Sequence, residues 1–171
     1  YDIDFGSGSG ENISYFQTKV TTDINQGGTI LQDWTTVVSG INSINYTTNW
    51  SLPSSTWSAM QDGTNYVSVR VYDVADNTTT TNDVFYVKKD GNAPSITDNQ
   101  TGDDIWRNSA GTTYNIDFSD SGSLLSYVQY TVYSATGQTG TLIKNWTNIA
   151  TTINSGAYTT DWTVDFATLQ T

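Results

Sequence analysis

The chain has 171 residues, of which 17 are acidic and 6 are basic, and it contains neither cysteine nor histidine. The net charge of −11 argues against nucleic acid and anionic membrane surfaces as partners, and the missing residue types exclude disulfides and Ser–His–Asp or Cys–His catalysis. Abundant Thr, Ser, Asn and Gly around 6 Trp, 11 Tyr and 5 Phe predict an all-β fold with an aromatic core.

Alternating apolar and polar side chains predict strands along the first half of the chain. They cover residues 1–5, 13–20, 29–38, 46–52, 66–72 and 81–88. In the clearest of these, residues 66–72, we expect Val67, Val69 and Val71 to face the interior. No segment has a sustained helical pattern, and no run of about 18 apolar residues predicts a membrane-spanning helix.

The second half of the chain repeats the first. YDIDF at residues 1–5 returns as YNIDF at 114–118, and SYFQ at 14–17 returns as SYVQ at 126–129. DWT at 33–35 returns as NWT at 145–147, and YTTNW at 46–50 returns as YTTDW at 158–162. The offset is 113 residues for the first match (114 − 1) and 112 for the others (158 − 46). A period of this length is a whole domain, so the sequence predicts a tandem array.

Residues 90–94, Asp-Gly-Asn-Ala-Pro, are the predicted boundary between two modules. Pro94 has no N–H to donate to a sheet ladder, so it favours a linker between strands. We therefore expect residues 1–92 to form a module that lacks its first strand. Residues 93–171 would form a module that lacks its last strands. A unit of about 110 residues with about seven strands fits a β-sandwich.

The sequence around this boundary resembles bacterial Ig-like tandem-repeat modules of large surface proteins and adhesins. VRVYDVADN at residues 69–77 and VFYVKKDGNAP at 84–94 are similar to their D-x-A-G-N and D-x-x-A-P segments, and DFSDSGS at 117–123 to their D-x-x-S-G loop. Asp76 stands where those modules usually have Gly, and Gly91 and Asn92 replace a Thr-Thr-like pair. The resemblance implies tandem Ig-like β-sandwich modules at the cell surface.

Acidic and amide side chains gather in the predicted turns. The candidate calcium ligands are Asp73, Asp76, Asp90, Asn92 and Asp120, with Asp98, Asp103 and Asp104 near the last of them. Calcium takes about six to eight oxygen ligands from carboxylates, amides and carbonyls, and the resemblance implies an ion that stiffens the linker. The alternative is that these side chains simply build turns. No cofactor is required by this interpretation.

Six Asn-x-Ser/Thr motifs are candidate glycosylation sites, although chance matches are expected in a chain so rich in these residues. They begin at Asn12, Asn45, Asn49, Asn77, Asn99 and Asn145. The tryptophans raise a second surface hypothesis, because indole rings stack on sugars. Trp34 matches Trp146 and Trp50 matches Trp162 across the repeat, so packing within the fold is the simpler interpretation.

The pattern favours a structural or adhesive extracellular protein, such as a filament, a surface layer or a giant adhesin stalk, that acts by spacing, stiffness or self-assembly. The alternative is a carbohydrate- or ligand-binding adhesin module with surface glycans as partners. We do not expect an enzyme, because Glu11 is the only Glu and the candidate carboxylates lie in predicted turns. The expected partners are further copies of the repeat, in the same chain or in neighbouring subunits that donate a strand.

Overall fold

The computed structural model describes residues 1–8, 10–101 and 105–169. Within them the strands pair antiparallel, and helix is limited to six α-helical residues and one 3-10 turn, which confirms the all-β prediction. The chain divides into two compact units, Tyr1–Gly91 and Asn92–Thr171, which we call unit 1 and unit 2.

Unit 1 contains a four-stranded sheet and a separate two-stranded pair. Its elements are β1 (Phe5–Gly6), β2 (Ile13–Asp23), β3 (Gly27–Ser43), β4 (Asn45–Tyr46), α1 (Ser54–Ala59), β5 (Gly63–Asp73) and β6 (Thr78–Lys89). The strand order in the larger sheet is β3-β2-β5-β6, so β2 is paired on both of its edges. β1 pairs with β4 outside that sheet.

Aromatic side chains build the core of unit 1. Phe16 on β2 is fully buried, and its ring centroid lies 4.6 Å from that of Phe5, 5.1 Å from Trp50 and 5.6 Å from Tyr46. The three partners belong to β1, to β4 and to the segment after β4, so the β1–β4 pair covers the inner face of the sheet. Each tilted pair adds about 0.5–1.5 kcal/mol beyond the burial of its area.

The alternation along β5 is confirmed on its inner face. Val67 and Val69 are buried and Val71 is half-buried, as the sequence predicts. Val67 packs with Val20 and Met60 in a second apolar cluster beside the aromatic one. Because β5 lies between β2 and β6, its valines have neighbours on both sides.

Unit 2 contains a three-stranded sheet and one long hairpin. Its elements are β7 (Ser95–Asp98), β8 (Ile116–Ser119), β9 (Leu125–Ala135), β10 (Thr139–Ser155), β11 (Ala157–Tyr158) and a 3-10 turn (Phe166–Thr168). The three-stranded sheet has the order β11-β8-β7, and β9 pairs with β10. Phe118, Leu125 and Val128 form its buried cluster.

The repeat extends to backbone detail at the offset found in the sequence. β9, β10 and β11 correspond to β2, β3 and β4 shifted by 112 residues. Gln26 and Gln138 share a φ of 58° in the equivalent hairpin turns. Trp50 exchanges backbone hydrogen bonds with Tyr1, and Trp162 does so with Tyr114. The two units therefore share one hairpin plan and one turn chemistry.

Two elements differ from their sequence predictions. β3 continues to Ser43, beyond the predicted residues 29–38, because Gly40 and Asn42 adopt φ values of 69° and 49° within irregular pairing to β2. Such residues signal turns in a sequence, yet here they lie inside a strand. The predicted strand 46–52 ends at Tyr46 and is followed by the short α1, in which only Thr56 is buried.

Candidate interaction surface

The outer face of the unit 1 sheet carries a stack of four planar side chains, Trp34, Arg70, Tyr72 and Tyr15, which we call the cation–aromatic ladder. The Arg70 guanidinium carbon lies 4.3 Å from the centre of the Trp34 ring and 5.4 Å from that of Tyr72. Tyr72 stacks on Tyr15 with centroids 4.6 Å apart and planes 15° apart. A cation over an aromatic ring contributes about 0.5–2 kcal/mol, depending on its desolvation.

The pairing of β2 with β5 sets the geometry of the ladder. Gln17 lies opposite Arg70, and Tyr15 lies opposite Tyr72. Arg70 Nε donates a 2.7 Å hydrogen bond to Gln17 Oε1, and Gln17 Nε2 donates a 3.0 Å bond to Thr36 Oγ1 on β3. A row of side chains across three strands therefore orients the guanidinium between its aromatic neighbours.

A charged pair lies beside the ladder at the Trp34 end. Lys19 Nζ lies 5.9 Å from the Trp34 ring centre and 3.4 Å from Asp33 Oδ1. The backbone N–H of Trp34 donates a 2.9 Å hydrogen bond to the same oxygen. This bond, together with Lys19, lowers the pKa of Asp33 below its ordinary value. Because the carboxylate is exposed, the pair orients the backbone at Trp34 and contributes little to stability.

Unit 2 repeats the β2–β3 side of the ladder. Trp146 and Tyr127 stand 112 residues after Trp34 and Tyr15, and their exposures are 54% and 58%. Gln129 Nε2 donates a 2.8 Å hydrogen bond to Asn148 Oδ1, as Gln17 does to Thr36. The backbone N–H of Trp146 likewise donates a 2.8 Å hydrogen bond to Asn145 Oδ1. The surface is thus preformed, but no described strand supplies the equivalents of Arg70 and Tyr72.

Among the residues that the structure describes, β9 and β1 are each paired on one edge only, whereas their counterparts in the other unit are paired on both. β9 pairs with β10 alone, whereas its counterpart β2 pairs with both β3 and β5. β1 pairs with β4 alone, whereas its counterpart β8 pairs with both β11 and β7. A groove of about 270 Å³ lies beside β1, with Ile3, Phe5, Val71 and Val84 in its lining.

Asp73 and Asp76 lie in the turn between β5 and β6. Asp73 Oδ1 accepts 2.9 Å hydrogen bonds from the N–H groups of Ala75 and Asn77, and its Oδ2 accepts one from Asn77 Nδ2. The side-chain bond from Asn77 is the largest cause that lowers the pKa of Asp73. Asp76 has a φ of 63°, in the left-handed region. Here the Asp73 carboxylate organises the turn, as expected of a turn residue.

The remaining calcium candidates are distributed over both units. Asp120 is 8% exposed, and its Oδ1 accepts a 2.8 Å hydrogen bond from the Gly122 N–H, while Asp98 Oδ1 accepts the Gln100 N–H at 2.9 Å. Asp90 follows β6, and Asn92 begins unit 2. Asp103 and Asp104 lie outside the described residues. Within the described chain no group of three or more acidic side chains is close enough to hold a metal ion, and calcium stays a prediction.

The sequon asparagines lie on the surface of their units. Asn45, Asn49, Asn77, Asn99 and Asn145 are exposed, and Asn12 is half-buried. Asn12 Nδ2 donates a 3.0 Å hydrogen bond to Asn42 Oδ1. Asn99 Nδ2 donates one of 2.9 Å to Asp117 Oδ2. Glycosylation at any of these positions stays a prediction.

The tryptophans divide between core and surface. Trp50 is 7% exposed within the aromatic cluster of unit 1, and Trp34 is half-buried in the ladder. Trp162 is half-buried against Tyr114 and Tyr130. Trp57, Trp106 and Trp146 are exposed. Packing therefore explains three of the six, and of the exposed three Trp57 lies under Lys89, whose Nζ is 5.6 Å from the ring centre.

Comparison with protein-family models, with curated proteins and with solved structures finds no match. Among the described residues no helix is both long and apolar enough to cross a membrane.

Proposed function

We propose that this chain is a structural or adhesive segment of an extracellular repeat protein, built from tandem Ig-like β-sandwich modules that act by spacing, stiffness or self-assembly. The observation that carries the proposal is the duplication of one hairpin plan at a 112-residue offset, down to its turn hydrogen bonds. In both copies the backbone N–H of a threonine (Thr29, Thr141) donates a 2.9 Å bond to the hydroxyl seven residues earlier. Copying of one hairpin plan favours a role for the fold itself.

The sheet organisation supports the Ig-like interpretation. Unit 1 contributes a four-stranded sheet, β3-β2-β5-β6, and unit 2 contributes a three-stranded one, β11-β8-β7. Because β8 and β11 repeat β1 and β4, superposing the two units yields a module of four plus three strands. Seven strands in two antiparallel sheets is the plan of an Ig constant-type sandwich.

The hairpins of both units suit a load-carrying role. β3 and β10 each have 17 residues, so each spans roughly 55 Å at about 3.3 Å per residue. Each of them pairs antiparallel with the strand before it, β2 or β9, along that strand's length. A net charge of −11 favours solubility of such chains.

Single-molecule force spectroscopy tests the mechanical role. With handles at the two ends of the full chain, we expect unit 1 to unfold in one cooperative step that releases about 300 Å, since an extended residue spans roughly 3.3–3.6 Å. Phe16→Ala should lower the force of that step, and Tyr86→Ala, at a 60% exposed position on β6, should leave it unchanged. A smooth extension without a step would contradict the proposal.

The extracellular location is tested on intact cells of the source organism. Protease added outside the cells should remove the signal of an antibody against this chain, while a cytosolic marker persists. Retention of the antibody signal until the cells are lysed would refute the location.

Carbohydrate binding is the second candidate, and the exposed Trp146 and Tyr127 favour it. Incubation of the chain with insoluble polysaccharides, followed by measurement of the bound fraction, separates the two functions. Retention that Trp146→Ala abolishes would support the sugar-binding candidate. No retention above that of an unrelated acidic protein supports the structural one.

A further inference from the structure

Two side chains of β6 contact the tip of a hairpin that is not the neighbour of β6 in the sheet. The order β3-β2-β5-β6 makes β6 an edge strand, which pairs with β5 alone among the described residues. The β2–β3 hairpin turns at residues 24–26. The backbone N–H of Asn25 donates a 2.6 Å hydrogen bond to Asp83 Oδ2, and Gln26 Nε2 donates one of 2.6 Å to Asn82 Oδ1. We call these two bonds the hairpin-tip contact.

The hairpin-tip contact lies where the pairing of β5 with β6 is interrupted. The register breaks between Thr81 and Phe85, so three residues of β6 lie opposite Ser68 of β5. Asp83, in the middle of the three, has a φ of 51°, and its N–H donates a 3.2 Å hydrogen bond to the buried Ser68 hydroxyl. Such a bulge disrupts the ladder locally. The contact therefore holds β6 at the point where regular pairing to β5 does not.

The hairpin turn itself closes without β6. The Gly27 N–H donates a 3.1 Å hydrogen bond to the Ile24 carbonyl, and the Thr29 N–H donates one of 2.9 Å to Thr22 Oγ1. Both bonds lie within the hairpin. The two bonds to β6, in contrast, join residues that are 56 and 58 positions apart in the chain. They therefore act on the tertiary structure of unit 1 rather than on the turn.

Tension along the chain enters unit 1 through β6. This strand ends at Lys89 and unit 1 ends at Gly91, so β6 is the last strand before the chain passes to unit 2. Detaching β6 breaks one ladder, whereas β2 and β5 are each held by two. A carboxylate that accepts an N–H forms a charge-assisted hydrogen bond, which is about twice as strong as a neutral one. The hairpin-tip contact gives β6 a second attachment of this kind.

We propose that the hairpin-tip contact is a latch, in which Asn82 and Asp83 fasten β6 to the tip of the β2–β3 hairpin and keep this edge strand on the sheet under load. The inference rests on the mechanical role proposed above and names the contact that maintains it. With the latch intact, β6 and the rest of unit 1 unfold together. Without it, β6 separates from β5 before the rest of the unit unfolds.

Amide hydrogen exchange of the folded full chain tests the latch without applied force. Asp83→Ala and Asp83→Gly both remove the carboxylate, and the glycine variant does so without strain at the left-handed φ. We expect exchange of the β6 amides bonded to β5 to become roughly fivefold to thirtyfold faster in both variants. Asp83→Asn is the matched control. Its amide oxygen can accept the Asn25 N–H, so its exchange should stay closer to that of the parent chain.

The comparison strand in this experiment is β2, whose exchange around Phe16 should not change. Both variants also remove Asp83 Oδ1, a buried atom without a hydrogen-bond partner among the described residues, so the ratio of β6 to β2 exchange is a better readout than overall stability. Unchanged β6 exchange in both variants would overturn the inference. An equal increase in β2 and β6 would also overturn it, because the whole unit would then be destabilised.

A double-mutant cycle of Gln26→Ala and Asn82→Ala tests the second bond. Alanine adds backbone strain at Gln26, which has a φ of 58°, but this cost cancels in the cycle. The combined variant should accelerate β6 exchange by about threefold less than the product of the two single effects, since the bond is lost only once. Effects that simply multiply would contradict the latch.

Force spectroscopy separates the latch from the proposed function. In the Asp83→Ala variant, a release of at most about 50 Å should precede the main step of unit 1, because residues 78–91 then extend first at roughly 3.3–3.6 Å each. A variant that still unfolds in the single step of the parent chain would refute the latch and leave the proposed function intact. If the parent chain itself shows no step, the mechanical role fails and the inference fails with it.

Discussion

Phe16→Ala removes the ring at the centre of the unit 1 core. Phe16 is fully buried and contacts the rings of Phe5, Tyr46 and Trp50 at 4.6–5.6 Å. Replacement of a buried Phe by Ala costs about 3–5 kcal/mol, and the loss of three ring pairs favours the upper end. A domain of about 90 residues has a stability of roughly 5–13 kcal/mol, so the variant loses a large part of the total. Its melting temperature should fall by about 15–30 °C.

Urea denaturation followed by tryptophan fluorescence and far-UV circular dichroism measures this change. Tyr86→Ala is the control, because it also truncates an aromatic ring on the same sheet but at a 60% exposed position. We expect the control to stay within about 0.5 kcal/mol of the parent chain. A Phe16→Ala variant as stable as the control would refute the aromatic core.

Three further outcomes concern single side chains, and a fourth concerns the predicted calcium ligands. Asn65→Ala should cost about 2–4 kcal/mol in denaturation, because it removes the hydrogen bonds of a buried amide to the Gln61 backbone, at 2.8 and 3.2 Å, and to the Gly63 and Val87 carbonyls. Arg70→Ala should lower the free energy of unfolding by about 1–2 kcal/mol, and Arg70→Lys should lower it by most of that amount, since lysine keeps the charge but not the planar stack. Equal stability of the lysine variant and the parent chain would contradict the ladder. Asp73 has a lowered pKa, so its contribution is complete above about pH 4 and disappears as the pH falls through the folded pKa; a pH titration of stability should show this loss, and Asp73→Asn should remove it. If calcium binds the predicted ligands, a chelator should lower the melting temperature, and an unchanged melting temperature would eliminate the ion.

The fold class was predictable because its determinants are local. Period-two alternation around residues 66–72 predicts β5 and its buried valines, and the aromatic-rich composition predicts the core. The ends of β3 were not predictable, since Gly40 and Asn42 read as turn residues but are accommodated inside a strand by irregular pairing. α1 was missed because its six residues bury only Thr56 and so have no apolar stripe.

The candidate surface was less accessible to sequence analysis. Gln17 and Arg70 are 53 residues apart, and only the register between β2 and β5 brings them together. The available signal was the alternation of Arg70 and Tyr72 with valines, which marks an outer face but not its partners. The sequence left two roles open for Asp73, a calcium ligand and a turn residue. The carboxylate accepts three hydrogen bonds within the turn, which is how it stabilises that turn.

Amide hydrogen exchange on the dilute chain is the most direct test of whether the two units share one hairpin plan and differ only in whether a β5-type strand lies beside it. In β2, which is paired on both edges, we expect slow exchange at consecutive interior residues around Phe16. In β9, slow exchange should alternate with fast exchange around Val128, because only the amides that face β10 are bonded. Continuous protection along β9 equal to that along β2 would contradict the one-sided pairing of β9 and the module plan derived from it.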